Sequence, residues 1–125
     1  LTYFKKRYNS FTFAFRGLIS ALRSEPHMRL HILSAVAVVV AGFFFGITRV
    51  EWCLLAGCIG LVIMAEVFNT AIETLTNLVS PEWHPLAGKA KDLAAGAVLM
   101  AAATAAVIGA IIFLPYLLRY INSLV

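Results

Sequence analysis

Three stretches of this chain are too apolar and too long for the core of a small water-soluble domain. Residues 30–47 carry only His31 and Ser34 as polar side chains. Residues 52–65 hold no hydroxyl, amide or charged group, and residues 93–118 hold only Thr104 ahead of Tyr116. At 1.5 Å per residue the first run reaches about 27 Å, close to the roughly 30 Å of a bilayer's hydrocarbon. Hydrocarbon offers no partner to a bare peptide group, so a spanning segment must satisfy its own backbone, as a helix does. The composition agrees, since 62% of the 125 residues are apolar, against roughly 45–50% in soluble domains. The expected fold is all-α and integral to the membrane, in a single domain over residues 1–125. Transmembrane helices are expected over 30–47, 52–79 and 93–118, behind an N-terminal amphipathic helix over 1–25.

That first segment sets Phe4, Tyr8, Phe11, Phe15, Leu18, Ile19 and Leu22 near helical spacing, with Lys5, Lys6, Arg16 and Arg23 among them. Such a helix suits the membrane interface; an ordinary soluble amphipathic helix is the alternative. Pro26 ends it or begins the next. The net charge of +4 flanks apolar runs instead of covering a polar domain, which excludes nucleic acid as the partner and favours lipid headgroups and nucleotide phosphates. Lys5, Lys6, Arg7, Arg16, Arg23 and Arg29 precede the first span and Lys89 and Lys91 precede the third, leaving Arg49 and Arg119 for the other side. The positive-inside rule therefore puts the N-terminus and the 80–92 connection in the cytoplasm. Cys53 and Cys58 sit five apart on one helix, too far to bridge, and read as packing residues. No cleavage site follows the basic start, so it is expected to stay in the mature protein, while Leu1 suggests a natural start further upstream. The third span, crowded with Ala and Gly, reads as the central packing helix. Gly42 and Gly46 form a G-x-x-x-G pair of little weight.

Against this background "EVFNTAIE", residues 66–73, is anomalous. On a helix Glu66 and Glu73 lie two turns apart, about 10.5 Å along the axis and offset by only about 20°, with Asn69 and Thr70 beside that line. A charge at the bilayer centre costs roughly 2.5–3.5 kcal/mol. Counted from Trp52, Glu66 lies about 21 Å in and Glu73 about 31 Å in, so the pair straddles the cytoplasmic interface. The bland reading makes Glu66 a packing hydrogen bonder and Glu73 a solvated helix end. Yet Glu25, Lys91 and Asp92 are expected at the same boundary, where a water-soluble anion and a membrane-embedded substrate could meet. Surface carboxylates can hold Mg²⁺, which binds one or two acidic groups plus substrate phosphates. A lysine can steady a transferring phosphoryl group, and the deeper Glu66 can take a proton from a lipid alcohol. Gly88-Lys89 is followed by Ala90 and belongs to no Walker A loop. His27 and His31 could share a metal but lack a further ligand and read as interfacial. His84, beside Glu82, suits a nucleotide better, and Trp83 suits the interface.

"AEVFNTAIE", followed by "HPLAGKAKDLAAGAVL", resembles the prokaryotic diacylglycerol kinase family, especially its undecaprenol kinase branch from Gram-positive bacteria. The resemblance covers nearly the whole chain. It implies a homotrimeric kinase of the bacterial inner membrane, with N-terminus and active site facing the cytoplasm, that moves the ATP γ-phosphoryl group to a lipid hydroxyl. By matching position Glu66 would be the general base with Asn69 supporting it, and Glu25 and Glu73 would hold Mg²⁺. Lys91 and Asp92 would contact ATP, with Glu82, His84 and Lys6 also on the nucleotide side. The diacylglycerol-using branch tends to carry Ser where Ala95 stands here, which tilts the lipid substrate toward undecaprenol, with diacylglycerol as the alternative. A small proton-coupled transporter could also place a lone Glu in a membrane helix, but would not need Glu25, Glu73 and Lys91 at one boundary. A membrane subunit without chemistry is the third reading.

Overall fold

In a computed structural model describing residues 2–125, the chain forms four helices, α1 (Thr2–Ser24), α2 (Pro26–Phe45), α3 (Arg49–Val79) and α4 (Pro85–Asn122). Their ends follow backbone chemistry more closely than hydropathy. Pro26 lacks an N–H to give, so α1 stops before it and α2 starts on it, with Glu25 extended between them (φ −107°). Gly46 ends α2 in the left-handed region (φ 63°), where a Cβ would be strained. Thr48 then caps α3 in a reciprocal box: its Oγ1 accepts from the Glu51 N–H, and its own N–H donates to Glu51 Oε2 at 2.8 Å. At the far end His84 Nδ1 accepts from the Leu86 N–H at 3.1 Å and Pro85 takes the first helical position. The helices thus start before the expected spans, α2 four residues before Leu30, α3 three before Trp52 and α4 eight before Leu93, while α2 stops at Phe45, two residues short of its expected end. At 1.5 Å per residue α3 is about 46 Å long and α4 about 57 Å, so both project beyond the hydrocarbon.

α2, α3 and α4 each satisfy length and composition for crossing a membrane. α3 is the helix that every other one meets, packing most extensively against α4. This corrects the expectation that the third span is central. The physical reason lies in the side chains: Leu55, Cys58, Val62, Glu66 and Asn69 are buried on α3 at spacings of three and four, one continuous stripe. Facing them, α4 buries Ala94 and Ala101, whose small side chains allow close backbone approach. The small residues make α4 a good partner along its length without placing it in the middle.

The apolar core sits at the α2–α3 turn. Ile47, Leu55 and Ile112 are its buried centre, enclosed by Val38, Phe45, Trp52, Ile59, Ile108, Phe113 and Tyr116. Tyr116 donates to Glu51 Oε2 at 2.7 Å, so the carboxylate that caps α3 also ties α4 to it. Gly42 is buried because a Cβ there would come within 2.7 Å of the Trp52 ring. The G-x-x-x-G pair is therefore a turn device: one glycine admits Trp52 and the other closes the helix. Of the two cysteines, Cys58 is buried as expected and Cys53 is exposed. Elsewhere large apolar side chains face outward, including Phe4, Tyr8, Phe11 and Phe15 on α1, a surface suited to lipid and to other protein chains.

Replacing Gly42 by Leu is expected to force Trp52 out of its seat and destabilise the protein by about 1–3 kcal/mol. Thermal unfolding in detergent checks this, with Gly57→Ala, where a Cβ meets nothing within 4 Å, expected to melt no lower than the native protein.

Candidate functional site

The buried stripe of α3 changes character at Glu66. Toward the turn it is apolar, and from Glu66 onward it is polar. Glu66 is 2% exposed, the most enclosed large side chain in the structure, and Asn69 is 9% exposed. α2 runs antiparallel to α3 from the Gly42–Trp52 contact. With equal rise in both helices, that register brings Met28 level with Glu66 and Glu25 level with Asn69. Met28 and Ala21 are both buried, and α1 touches α3 as well as α2. The α1–α2 joint therefore closes over the polar end of the stripe, with Glu25 half-buried in it.

The polar groups are unevenly satisfied. Thr70 Oγ1 donates to the Glu66 carbonyl at 3.0 Å, so it serves its own helix instead of the shared cleft. Asn69 Nδ2 donates to Glu73 Oε1 at 3.5 Å, orienting the carboxamide so that Asn69 Oδ1 is left buried with no partner. A buried acceptor without a donor costs about 1–3 kcal/mol. Such a group calls for a donor from outside the chain, whether water, a hydroxyl or an ammonium.

α4 brings Lys91 to this end, where Nζ donates to Asn77 Oδ1 at 2.5 Å. Asp92, one residue on, is turned about 100° around the helix and is exposed, lining an outer hollow with Lys89, Trp83 and Gly96. The Lys-Asp pair is thus split between the inner and outer faces of α4. Ala95 is also exposed, whereas Ala94 faces inward. Glu82 and His84 are exposed in the α3–α4 connection, His84 with Nδ1 engaged as the α4 cap. Lys6 is exposed on α1, about 28 Å along that helix from Glu25. Glu66, Asn69 and Glu73 share one face of α3, with Asn69 and Glu73 hydrogen-bonded, and Lys91 reaches that helix at Asn77; Glu25 lies half-buried in the α1–α2 joint, and Asp92, Ala95 and Lys6 are exposed.

Among the described residues no three His, Cys, Asp or Glu side chains form a metal-binding group. Glu25 and Glu73 nevertheless offer half-buried carboxylates, the hard-oxygen donors that suit an ion completed by substrate phosphates and water. Asn77 was absent from the sequence-based reading. Its signal was present, since it falls four residues after Glu73 and continues the polar line by another turn.

Residues 12–113 match the family model of prokaryotic diacylglycerol kinase. The chain is similar to the undecaprenol kinase of Bacillus subtilis, 40% identical over 110 residues, covering 88% of this chain and 89% of that one. It is similar to the diacylglycerol kinase of Synechocystis, 38% identical over 87% of this chain and 63% of that one. A third relative, the diacylglycerol kinase of Haemophilus influenzae, is 32% identical over 84% of this chain and 90% of that one.

If Asn69 Oδ1 is held unsatisfied for a substrate, Asn69→Leu removes a liability of about 1–3 kcal/mol. The variant is expected to melt at or above the native temperature while phosphoryl transfer falls at least about 100-fold. Paired melting and turnover measurements check both halves.

Proposed function

The chain belongs to the prokaryotic diacylglycerol kinase family, and on that premise we propose that it phosphorylates undecaprenol with Mg-ATP at the cytoplasmic face of the bacterial inner membrane. Family membership makes it a lipid kinase, and with that come ATP as phosphoryl donor and a lipid as acceptor. The finer substrate rests on the similarity to an undecaprenol kinase and on Ala95 standing where the diacylglycerol-using branch tends to carry Ser. The diacylglycerol kinases among the relatives support diacylglycerol as the second reading.

One observation carries the mechanism: a buried carboxylate, Glu66, beside a buried and unpartnered carboxamide oxygen. The lipid hydroxyl enters from the hydrocarbon side, Asn69 helps to position it, and Glu66 takes its proton as the oxygen attacks the γ-phosphorus and the bond to the β–γ bridging oxygen breaks, releasing ADP. Lys91 approaches from the water side and neutralises charge on the transferring group. Glu25 and Glu73 would hold Mg²⁺, whose charge, when the ion is bound with ATP, offsets that of the phosphates. Asp92, Glu82, His84 and Lys6 would complete nucleotide contacts. The homotrimer is what the resemblance to the family implies, and in it Asp92 and Lys6, both exposed, would be free to face a neighbouring protomer.

Purified protein offered undecaprenol and diacylglycerol in parallel with Mg-ATP is expected to prefer the polyprenol. Preference for the glycerolipid would replace the acceptor and leave the kinase intact. Glu66→Gln is expected to fold and to lose turnover by about 10²–10⁴-fold; full activity would remove the base. Chelation of divalent ions is expected to abolish turnover. Glu73→Gln is expected to raise the Mg²⁺ concentration needed for half-maximal rate, as followed by Mg²⁺ titration.

A further inference from the structure

Beyond the proposed site, one tertiary contact at its water-facing end has no assigned purpose. Lys91 Nζ, on the first turns of α4, donates to Asn77 Oδ1, near the end of α3. The two residues are joined through a connection of bends and extended backbone, residues 80–84. A lysine side chain on such a helix start is long and rotamer-rich, and left alone it would extend into water.

We propose that Asn77 is a positioning residue for the phosphoryl-transfer reaction, holding Lys91 over the carboxylate line of α3 ready to receive the ATP phosphates. This rests on the reading of Lys91 as a nucleotide-contacting residue. Asn77 follows Glu73 by four residues and Glu66 by eleven, so all three share one helix face. The tether therefore places the ammonium one turn above Glu73, at the end of the face that carries the base. The choice of side chain matters. A carboxamide oxygen accepts one of the three ammonium hydrogens and leaves two donors for phosphate oxygens. A hydroxyl is too short to span the gap between the helices in the same way, and an alanine would release the lysine altogether.

The contact also bears on the closing of the bundle at this end. At the opposite end α3 and α4 are joined by Glu51 and Tyr116 and by the aromatic core. Here the Lys91–Asn77 bond is the side-chain hydrogen bond that links the two helices among the described residues. A purely structural tie would affect both substrates alike. A positioning role affects the nucleotide alone.

The test compares native protein, Asn77→Ala, Asn77→Asp and Lys91→Met, each measured for KM toward Mg-ATP, KM toward the lipid alcohol that the native protein turns over faster, and melting temperature. Asn77→Ala is expected to raise the Mg-ATP KM about 10-fold while the lipid KM and melting temperature stay native. Asn77→Asp, which keeps the acceptor at the same reach, is expected to recover most of the affinity for Mg-ATP. Native nucleotide kinetics in Asn77→Ala, or a rise in both KM values together with a lower melting temperature, would overturn the proposal. So would failure of Asn77→Asp to recover the affinity. Lys91→Met separates this from the underlying reading: if it impairs Mg-ATP use while Asn77→Ala does not, only the positioning role falls. If Lys91→Met itself behaves as native, the assignment of Lys91 to the nucleotide falls as well.

Discussion

A carboxylate enclosed on a membrane-spanning helix is the constraint around which the rest of the structure is arranged. Placing such a group near the bilayer centre costs roughly 2.5–3.5 kcal/mol, and Glu66 is almost wholly shielded from solvent. Glu66 lies only two residues past the midpoint of α3 (Arg49–Val79), so the cost is met by enclosure. The joint between α1 and α2, with Ala21 and Met28 buried in it, and the alanine face of α4 keep lipid away from it. What the chain does not do is satisfy the neighbouring amide: Asn69 Oδ1 stays without a partner. A packing role would favour a closed set of hydrogen bonds, whereas a set left open by one acceptor suits a hydroxyl that arrives and leaves.

The two ends of the bundle are built for different work. At the turn between α2 and α3, Thr48, Glu51 and Tyr116 form a hydrogen-bonded tie between α3 and α4. Phe45 stacks near Phe113, Tyr116 and Tyr120, and Trp52 fills the space left by Gly42. This end is dense and fixes helix register. At the end that carries Asn69 and Glu73 the partners are fewer, and α1 reaches outward with its aromatic residues exposed. Register set at the rigid end is transmitted along stiff helices, so that Lys91 meets α3 at Asn77 and Glu25 comes level with Asn69.

Much of this was legible in the sequence because the governing terms are local or periodic. Pro26 marks the α1–α2 break through its missing N–H, the apolar runs mark the spans, and the spacing of Glu66, Asn69 and Glu73 gives one face whatever the helix packs against. Other features depend on which helix meets which. That α3 and not α4 lies in the middle follows from a buried stripe whose partners are distant in sequence. The Glu51–Tyr116 bond joins residues 65 positions apart and leaves no local mark. Lys91 and Asp92 look like one motif in the chain, yet the 100° helical step leaves Lys91 half-buried beside α3 and Asp92 exposed. Gly42 and Gly46 match a helix-pairing pattern, but the nearby Trp52 and the left-handed turn claim them for another use.

The central claim is that the enclosed Glu66 carboxyl meets a lipid alcohol from the hydrocarbon side. A hydrophobic carbodiimide, which reaches carboxyl groups through the bilayer, tests it directly when the modified residue is mapped by mass spectrometry and turnover is followed in parallel. The account predicts modification at Glu66 with matching loss of activity, slowed by undecaprenol but not by a hydrocarbon of equal length lacking the hydroxyl. Loss of activity with Glu66 unmodified, or equal protection by alcohol and hydrocarbon, would contradict it.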